Sequence, residues 1–275
     1  MKRKKLLAVA TFIVLTLASL VTLFPIVWIF LTSLKTDVQM FSIPPVVLPS
    51  PVTLKHYEAV LQESFSSYFA NSIIVAVVSC AASALLAIPA AYGFARYVGK
   101  KGSSLFGATT AIRMVPQAVM VLPFFLLARS LRLSDSLWAL IFTYIPFECS
   151  LMIWILKNFF QQLPYEIEEA AEIDGLGTFG KLVSIVVPLS KSSIGVAIML
   201  AFLYSWNEFM FALSLTSTKS SQTLTIGIAG FVTSFQTFWG KMAAMGILMM
   251  LPALAVTLLF QKDLAKGLTA GAVKG

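Results

Sequence analysis

Long apolar runs alternate with short polar connections along almost the whole chain. Six of these runs are about 20 residues or longer, the length that an α-helix needs to cross the hydrocarbon core of a bilayer. They are Leu6–Leu34, Tyr68–Ala95, Ser104–Ala128, Ser136–Leu156, Ser192–Leu215 and Met242–Gln261. None shows the strict apolar–polar alternation of barrel strands. The pattern therefore predicts an all-α fold, a polytopic membrane bundle of about six transmembrane helices.

The composition supports a membrane protein. Hydrophobic residues make up 58% of the chain and charged residues 12%, whereas a soluble domain carries about 25% charged residues. A soluble core cannot hide so much apolar surface, so the excess must face lipid or other membrane helices. We predict a single transmembrane domain over residues 1–275, with its core at about 68–262 and a cytoplasmic tail at 263–275.

Lysine and arginine are distributed unevenly between the two sides of the predicted membrane. The N-terminus, the second and fourth connections and the tail together hold thirteen, and the alternate side holds six. The positive-inside rule then places both termini in the cytoplasm and makes Lys35–Ser67 an extended external segment. The net charge of +8 is not gathered into a basic surface interleaved with aromatic residues, so nucleic acid is not an expected partner.

Cysteine and histidine give no sign of metal or catalytic chemistry. Cys80 and Cys149 lie inside apolar runs, and His56 is the only histidine. No metal-ligand spacing is present, and the cysteines are expected to be small buried hydrophobic residues. A membrane-embedded enzyme would need a catalytic set near the membrane face, and His56 in an external loop does not supply one. We predict no catalytic residues and no metal site.

The connection between the fourth and fifth runs contains a short acidic helix. Pro164 and the glutamates that follow it favour a helix start, and Gly175 can serve as the stop. The predicted helix has about ten residues, far too few to span a bilayer. Four of its positions recur at helical spacing and are expected to share one face: Ile167, Ala170, Ala171 and Asp174.

This segment resembles a known family motif. Glu169-Ala170-Ala171 is followed after three residues by Gly175 and after nine more by Ile185-Val186-Val187-Pro188. The spacing resembles the EAA loop of binding-protein-dependent ABC permeases, with Val187 in place of the family's leucine. In that family the loop forms a coupling helix that docks in a cleft of the cytoplasmic ATPase. The resemblance implies the type I ABC importer permease fold and an ATPase-coupling role for five residues: Glu169, Ala170, Ala171, Asp174 and Gly175.

The end of the chain carries a second resemblance. Gly267–Gly275 is similar to the tail of the smaller permease subunit of maltose-type sugar importers, which reaches into the ATPase dimer interface. Trp206-Asn207-Glu208-Phe209 is also similar to that group. The likeness runs from the second apolar run to the end of the chain. It implies an ATPase-contacting tail that includes Gly271, Val273, Lys274 and Gly275.

Together these resemblances imply a permease subunit of a carbohydrate importer in a bacterial-type inner membrane. The expected partners are a second permease subunit in a heterodimer, two ATP-binding subunits, an extracytoplasmic solute-binding protein, membrane lipid and the sugar substrate. Gly175–Lys181 nearly matches a phosphate-binding loop, but Leu182 stands where that motif needs Ser or Thr for magnesium. We therefore expect no cofactor on this chain and no enzyme activity, with ATP and Mg bound by the partner ATPase.

Charged residues inside predicted spans are candidates for function because a charge in hydrocarbon is costly. Trp206, Asn207 and Glu208 are predicted substrate-path residues, and a polar contact to the partner permease is the alternative. Arg113 and Glu148 are expected to pair across the third and fourth spans. An ion-coupled secondary transporter would use such charges as ion sites. It would also predict inverted repeats, which the sequence does not show.

Overall fold

The computed structural model describes residues 2–98 and 102–270. In this part of the chain the only β-pairing is an isolated antiparallel bridge between Val232 and Thr237. The α-helices of the described residues are α1 Lys2–Ser33, α2 Asp37–Met40, α3 Lys55–Gln62, α4 Phe65–Arg96, α5 Gly102–Ala111, α6 Gln117–Ser130, α7 Leu137–Phe160, α8 Tyr165–Ile173, α9 Thr178–Lys181, α10 Val187–Leu189, α11 Lys191–Asn207, α12 Met210–Leu215, α13 Leu224–Ala229 and α14 Trp239–Ala270. A 3₁₀ turn at Ile112–Met114 follows α5, and a π-helical turn at Leu182–Val186 follows α9.

Four helices are long and apolar enough to cross a membrane by themselves. These segments are Val9–Ser33, Phe65–Arg96, Leu137–Phe160 and Trp239–Leu264. Two further spans form only if each is counted as a bent pair of helices, Ser104–Met114 with Gln117–Ser130 at 97° and Thr178–Leu189 with Lys191–Asn207 at 83°. The described residues therefore supply up to six spans, and the third and fifth are not single rods.

The prediction of one continuous third span over Ser104–Ala128 is wrong. Helical structure ends at Met114, Val115 is extended with φ −77° and ψ 125°, and α6 begins after Pro116. Proline lacks a backbone N–H and disfavours the helical conformation in the residue before it. The break therefore follows from Pro116, although the hydropathy of the run continues through it.

The prediction of one continuous fifth span over Ser192–Leu215 is also wrong. Helix α11 ends at Asn207, Glu208 is extended with ψ 133°, and α12 begins at Met210. The Glu208 carboxylate accepts hydrogen bonds from the backbone N–H groups of Phe211 at 2.8 Å and Ala212 at 3.1 Å. It therefore acts as an N-terminal cap of α12, and Glu208 lies at a break between helices rather than in the middle of one.

The segment Lys35–Ser67 is not simply extended as predicted, because it contains α2 and α3. Thr36 and Gln39 form a capping box at the start of α2, in which each side chain bonds the backbone of the other residue. This reciprocal pair satisfies two N–H groups that a helix start would otherwise leave open. The Thr-x-x-Gln spacing is the local signal for the short helix.

The described chain divides into two compact units, and each is considered by itself. One contains residues up to Phe65 with Gly227–Leu251, and the other contains Ser66–Ile226 with the residues from Pro252 on. In the first unit the buried His56 ring packs where Gly240 has no side chain, so a Cβ there would collide with it. The second unit has a large aliphatic and aromatic core that includes Leu140, Tyr144, Phe147, Phe211 and Leu215. The single domain over residues 1–275 stays a prediction.

Candidate functional site

The short acidic helix lies where the sequence predicts it. Helix α8 has nine residues, begins directly after Pro164 and ends before Asp174. Gly175 then adopts a left-handed backbone with φ +86°. This conformation lets the N–H of Leu176 return to the carbonyl of Ala171 at 3.0 Å, which is the closing bond expected of a glycine stop.

A buried ion pair attaches α8 to the end of α4. Glu168 accepts from the Tyr92 hydroxyl at 2.6 Å and from the Arg96 Nε at 2.7 Å. The side chains of Arg96 and Glu168 are only 8% and 3% exposed. Arg96 also donates to the Leu163 carbonyl at 3.0 Å, just before α8. The position of the helix is therefore set by contacts to a membrane-spanning segment, through residues that the sequence pattern did not single out.

The sequence contained a weak signal for this buried face. Glu168 and Ala171 are three residues apart, so they lie next to each other on a helix, and both are buried. The sequence predicts that Ala171 shares one helix face with Ile167, Ala170 and Asp174, but those three residues are exposed. The predicted common face is therefore wrong at Ala171, because that side chain packs inward beside the buried glutamate.

The opposite side of α8 and the turn after it form an exposed surface. Four of the five predicted coupling residues lie on it: Glu169, Ala170, Asp174 and Gly175. Large apolar side chains stand beside them, with Ile173 87% exposed and Phe179 74% exposed. We call the following exposed residues the coupling surface: Ile167, Glu169, Ala170, Ile173, Asp174, Gly175 and Phe179. Contiguous exposed apolar groups among polar ones are typical of an interaction site.

The lysine of the near phosphate-binding loop has a partner within the chain. Lys181 Nζ donates to Glu172 Oε2 at 2.8 Å and its side chain is largely buried. Lys181 is the last residue of α9, Thr178–Lys181. This helix follows the turn at Gly175, whereas a phosphate-binding loop follows a β-strand. Lys181 therefore ties α9 back to α8.

Glu208 is bound within its own chain. Its Oε2 accepts from the buried Tyr144 hydroxyl at 2.6 Å, in addition to the two N–H groups of α12. The carbonyl of Glu208 accepts from the Thr225 hydroxyl at 2.8 Å. The structure gives this carboxylate a capping role between α11, α12 and α7, and its place on the substrate path or at the partner permease stays a prediction.

The two other predicted path residues have different environments. Trp206 is buried and stacks on Phe202, with ring centroids 5.6 Å apart and an interplanar angle of 15°. Asn207 is exposed, and its amide donates to the Leu203 carbonyl at 2.7 Å within α11. The role of these residues in a substrate path stays a prediction, and Asn207 is the one whose side chain is open to a ligand.

Glu148 does not form the expected pair with Arg113, so that prediction is wrong. It is fully buried, and its two oxygens accept from the hydroxyls of Ser79 at 2.9 Å and Ser83 at 2.8 Å. Both serines lie on α4. Arg113 instead belongs to the 3₁₀ turn at the break of the third span.

The carboxylate of Asp135, just before α7, binds residues of the segment that follows α12. Asp135 accepts from the N–H groups of Ser217 at 2.7 Å and Thr218 at 3.0 Å, from the Thr218 hydroxyl at 2.8 Å, and from the Ser221 hydroxyl. These four residues form what we call the Asp135 cluster. The hydrogen bond from Ser221, followed by those from Ser217 and Thr218, holds the pKa of Asp135 well below its usual range. Asp135 itself has φ +57°.

The structure does not describe the predicted ATPase-contacting tail. Gly271, Val273, Lys274 and Gly275 lie outside the described residues. Among the residues that the structure does describe, no group of three or more His, Cys, Asp or Glu side chains is arranged to hold a metal ion.

Residues 83–269, which include α8 and both breaks, match the family described as the binding-protein-dependent transport system inner membrane component. The chain belongs to this family. It is therefore a membrane component of a transport system, and its predicted class as an ABC importer permease of the carbohydrate-uptake type is confirmed.

Similar proteins cover almost the whole chain. The trehalose transport system permease protein SugB of Mycobacterium tuberculosis is 36% identical over 92% of this chain and 93% of its own length. The trehalose/maltose transport system permease protein MalG of Thermococcus litoralis is 34% identical over 94% of each chain. A chain from a bacterial ABC transporter that imports the acidic polysaccharide alginate has the same fold, with a TM-score of 0.76 and 22% identity over 95% of this chain and 98% of that one. The all-α fold of ABC importer permeases is thus confirmed.

Proposed function

We propose that the chain forms one half of a permease pair that carries a sugar or sugar-derived solute inward across the membrane. The observation that carries the proposal is the coupling surface on α8, which is exposed outward while Glu168 fixes the helix to α4 from beneath. This arrangement suits a helix that is moved by a partner and that transmits the movement to a span. The trehalose and maltose relatives support a sugar as the solute.

The proposed assembly contains a second permease subunit, two ATP-binding subunits and an extracytoplasmic binding protein that delivers the solute. ATP and magnesium bind to the partner ATPases, and the ATPase cleft receives the coupling surface. Glu169 supplies a charge contact, Ala170 lets the partner approach closely, and Ile173 supplies apolar area. The tail residues Gly271, Val273, Lys274 and Gly275 contact the interface between the two ATPases.

This assembly requires both termini and α8 on the cytoplasmic side, in agreement with the bias of lysine and arginine. Labelling of single introduced cysteines in intact cells tests the orientation. An impermeant thiol reagent should modify Ser50→Cys and should leave Asp174→Cys unmodified until the cells are opened. The reverse pattern would refute the proposed orientation.

The turn at Gly175 gives the sharpest test of coupling. Gly175 has φ +86° and open space where a Cβ would lie, so Gly175→Val strains only the backbone. Sugar-stimulated ATP hydrolysis and uptake should fall at least about tenfold, because the turn that closes α8 is lost, while the amount of protein in the membrane stays unchanged. Gly177→Val is the matched control, because Gly177 also has open space but has an ordinary φ of −72°.

Gly177→Val should retain uptake, and Gly175→Asn should retain most of it because asparagine tolerates the left-handed region. Normal uptake in Gly175→Val would refute the coupling role. Equal loss in both valine variants would show that the loop tolerates no substitution, and it would also refute a specific role for the turn.

A further inference from the structure

A cavity lies at the break of the third span. Its volume is about 290 Å³, and its walls come from the 3₁₀ turn, the start of α6, α7 and α11. The residues that matter to its chemistry are Arg113, Gln117, Phe147 and Tyr204. Neither Trp206 nor Asn207, which the sequence predicts as substrate-path residues, lines the cavity.

The broken backbone indicates that this cavity contains water. Val115 is extended and Pro116 has no N–H, so the helical hydrogen-bond ladder is interrupted here. The first N–H groups of α6 also lack partners within that helix. Non-helical backbone at membrane depth is tolerated only where it is buried in protein or lines a water-filled cavity. The Arg113 guanidinium in the lining favours the second case, because a charge at this depth needs water or a polar partner.

The polar groups of the cavity suit a ligand with several hydroxyls. The guanidinium of Arg113 carries five donors and makes no ion pair within the described part of the chain. Gln117 Nε2 donates to the Tyr204 hydroxyl at 2.8 Å. This bond orients both side chains and leaves the Gln117 carbonyl as an acceptor and the Tyr204 proton as a donor.

An aromatic wall stands beside these polar groups. The rings of Phe147 and Tyr204 stack at 6.1 Å between centroids, with an interplanar angle of 28°. Behind them the Tyr144 ring meets Tyr204 edge-on at 6.3 Å, and Tyr144 is held by Glu208. Fixed polar groups beside aromatic side chains are typical of a small-molecule site, and a sugar ring presents hydroxyls at its rim and C–H groups on its faces.

We propose that this cavity is a subsite for one ring of the transported sugar, in which Arg113, Gln117 and Tyr204 bond hydroxyls and Phe147 contacts a face of the ring. The subsite rests on the proposed sugar-import function and adds to it a binding role for this chain's third span. Glu208 then acts as a positioning residue, because it orients Tyr144 behind the aromatic wall.

The test uses the complete importer with its binding protein, reconstituted in proteoliposomes, with radiolabelled trehalose and maltose as the probes. Arg113→Gln should raise the apparent KM for uptake about tenfold, the size expected for a lost hydrogen bond to a charged group. Tyr204→Phe keeps the ring and should raise it about threefold. Arg129→Gln removes an exposed arginine at the end of α6, outside the cavity, and is the control for loss of charge.

Four outcomes separate the possibilities. A raised KM in both cavity variants, with normal complex yield and a normal Arg129→Gln, supports the subsite. A reduced yield of complex with unchanged KM in Arg113→Gln would mean that the arginine contacts the partner permease, and it would overturn the subsite. Uptake of neither sugar by the unaltered importer would refute the proposed substrates themselves, whereas normal uptake and normal kinetics in both variants would refute the subsite alone.

Discussion

Two carboxylates that flank α7 in sequence, Asp135 and Glu168, have different partners. Asp135 lies just before the first residue of α7 and accepts hydrogen bonds from the segment after α12. Beyond the last residue of α7, Glu168 joins α8 to Arg96 and Tyr92 at the end of α4. Each carboxylate connects parts of the chain that are far apart in sequence, but only Glu168 does so with a buried cation.

The difference has a physical consequence. Asp135 is bonded by neutral hydroxyl and N–H groups at a partly exposed site, so its removal leaves those donors close to water. Removing Glu168 would leave the Arg96 charge buried without a counter-charge, which is among the costliest changes in a protein interior. We infer that the Asp135 cluster is a local clasp, whereas the Arg96–Glu168 pair is a rigid joint on which the proposed coupling depends.

The largest expected effect comes from breaking the joint. Glu168→Ala should lower the free energy of unfolding by about 3–5 kcal/mol because it strands the Arg96 guanidinium. Glu169→Ala, at the exposed neighbouring position, should change it by less than about 0.5 kcal/mol. The midpoints of denaturation of the two purified variants measure the difference. Equal midpoints would show that the ion pair does not hold α8.

A double substitution sharpens this result. Arg96→Met combined with Glu168→Leu removes both charges and should recover much of the loss, because an apolar pair of similar volume often replaces a buried ion pair without penalty. Uptake should remain impaired if the hydrogen bonds from Arg96 to Glu168 and to Leu163 are needed to position α8. Full recovery of both stability and uptake would show that packing between the two side chains is sufficient and that their charges and hydrogen bonds are not needed.

A smaller effect is expected at the clasp. Asparagine at position 135 retains one carbonyl acceptor and tolerates φ +57°. Asp135→Asn should therefore lower the free energy of unfolding by only about 1–2 kcal/mol, near the lower end for hydrogen bonds to a charged group. The loss should appear as faster hydrogen exchange at the amides of Ser217 and Thr218. Asp174→Asn, at an exposed aspartate, is the control. Unchanged exchange at both amides in Asp135→Asn would contradict the clasp.

The smallest expected effect is the pH dependence of the clasp. The pKa of Asp135 is depressed in the folded chain by the Ser221 hydroxyl and then by the N–H groups of Ser217 and Thr218, whereas an unfolded aspartate titrates at about 3.9. The ionised Asp135 carboxylate therefore stabilises the folded chain fully above the unfolded pKa, and this stabilisation is lost as the pH falls towards the depressed folded pKa. Protection of these amides, corrected for intrinsic exchange, should persist from about pH 7 to about pH 4. Loss already near about pH 5 would contradict the depressed pKa.

Local signals explain why α8 was predictable. Pro164, the acidic first turn and Gly175 act within a few residues of each other, so the sequence places the helix almost to the residue. Apolar length likewise predicted the four continuous spans. The EAA spacing added the family, which the match over residues 83–269 confirms.

The break at Val115 has a local cause in Pro116, whereas the break at Glu208 and the buried polar contacts involve distant partners. Hydropathy continues through Val115 and Glu208, so it does not report that the helices end there. The Glu208 carboxylate that caps α12 is also held by Tyr144, 64 residues earlier in the chain. Glu148 bonds the serines of α4 rather than Arg113 for a similar reason, since helix packing decides which donor is near and no local pattern encodes it.

The turn at Gly175 also has a stereochemical consequence. Its left-handed backbone is unfavourable for an L-residue, yet a side chain built there would meet no atom within 4 Å. The backbone conformation alone thus disfavours an L-residue at this position, and there is room for the side chain of a D-residue. A D-alanine introduced at residue 175 by semisynthesis should fit the turn, and by restricting the unfolded chain it should make that turn firmer than glycine does.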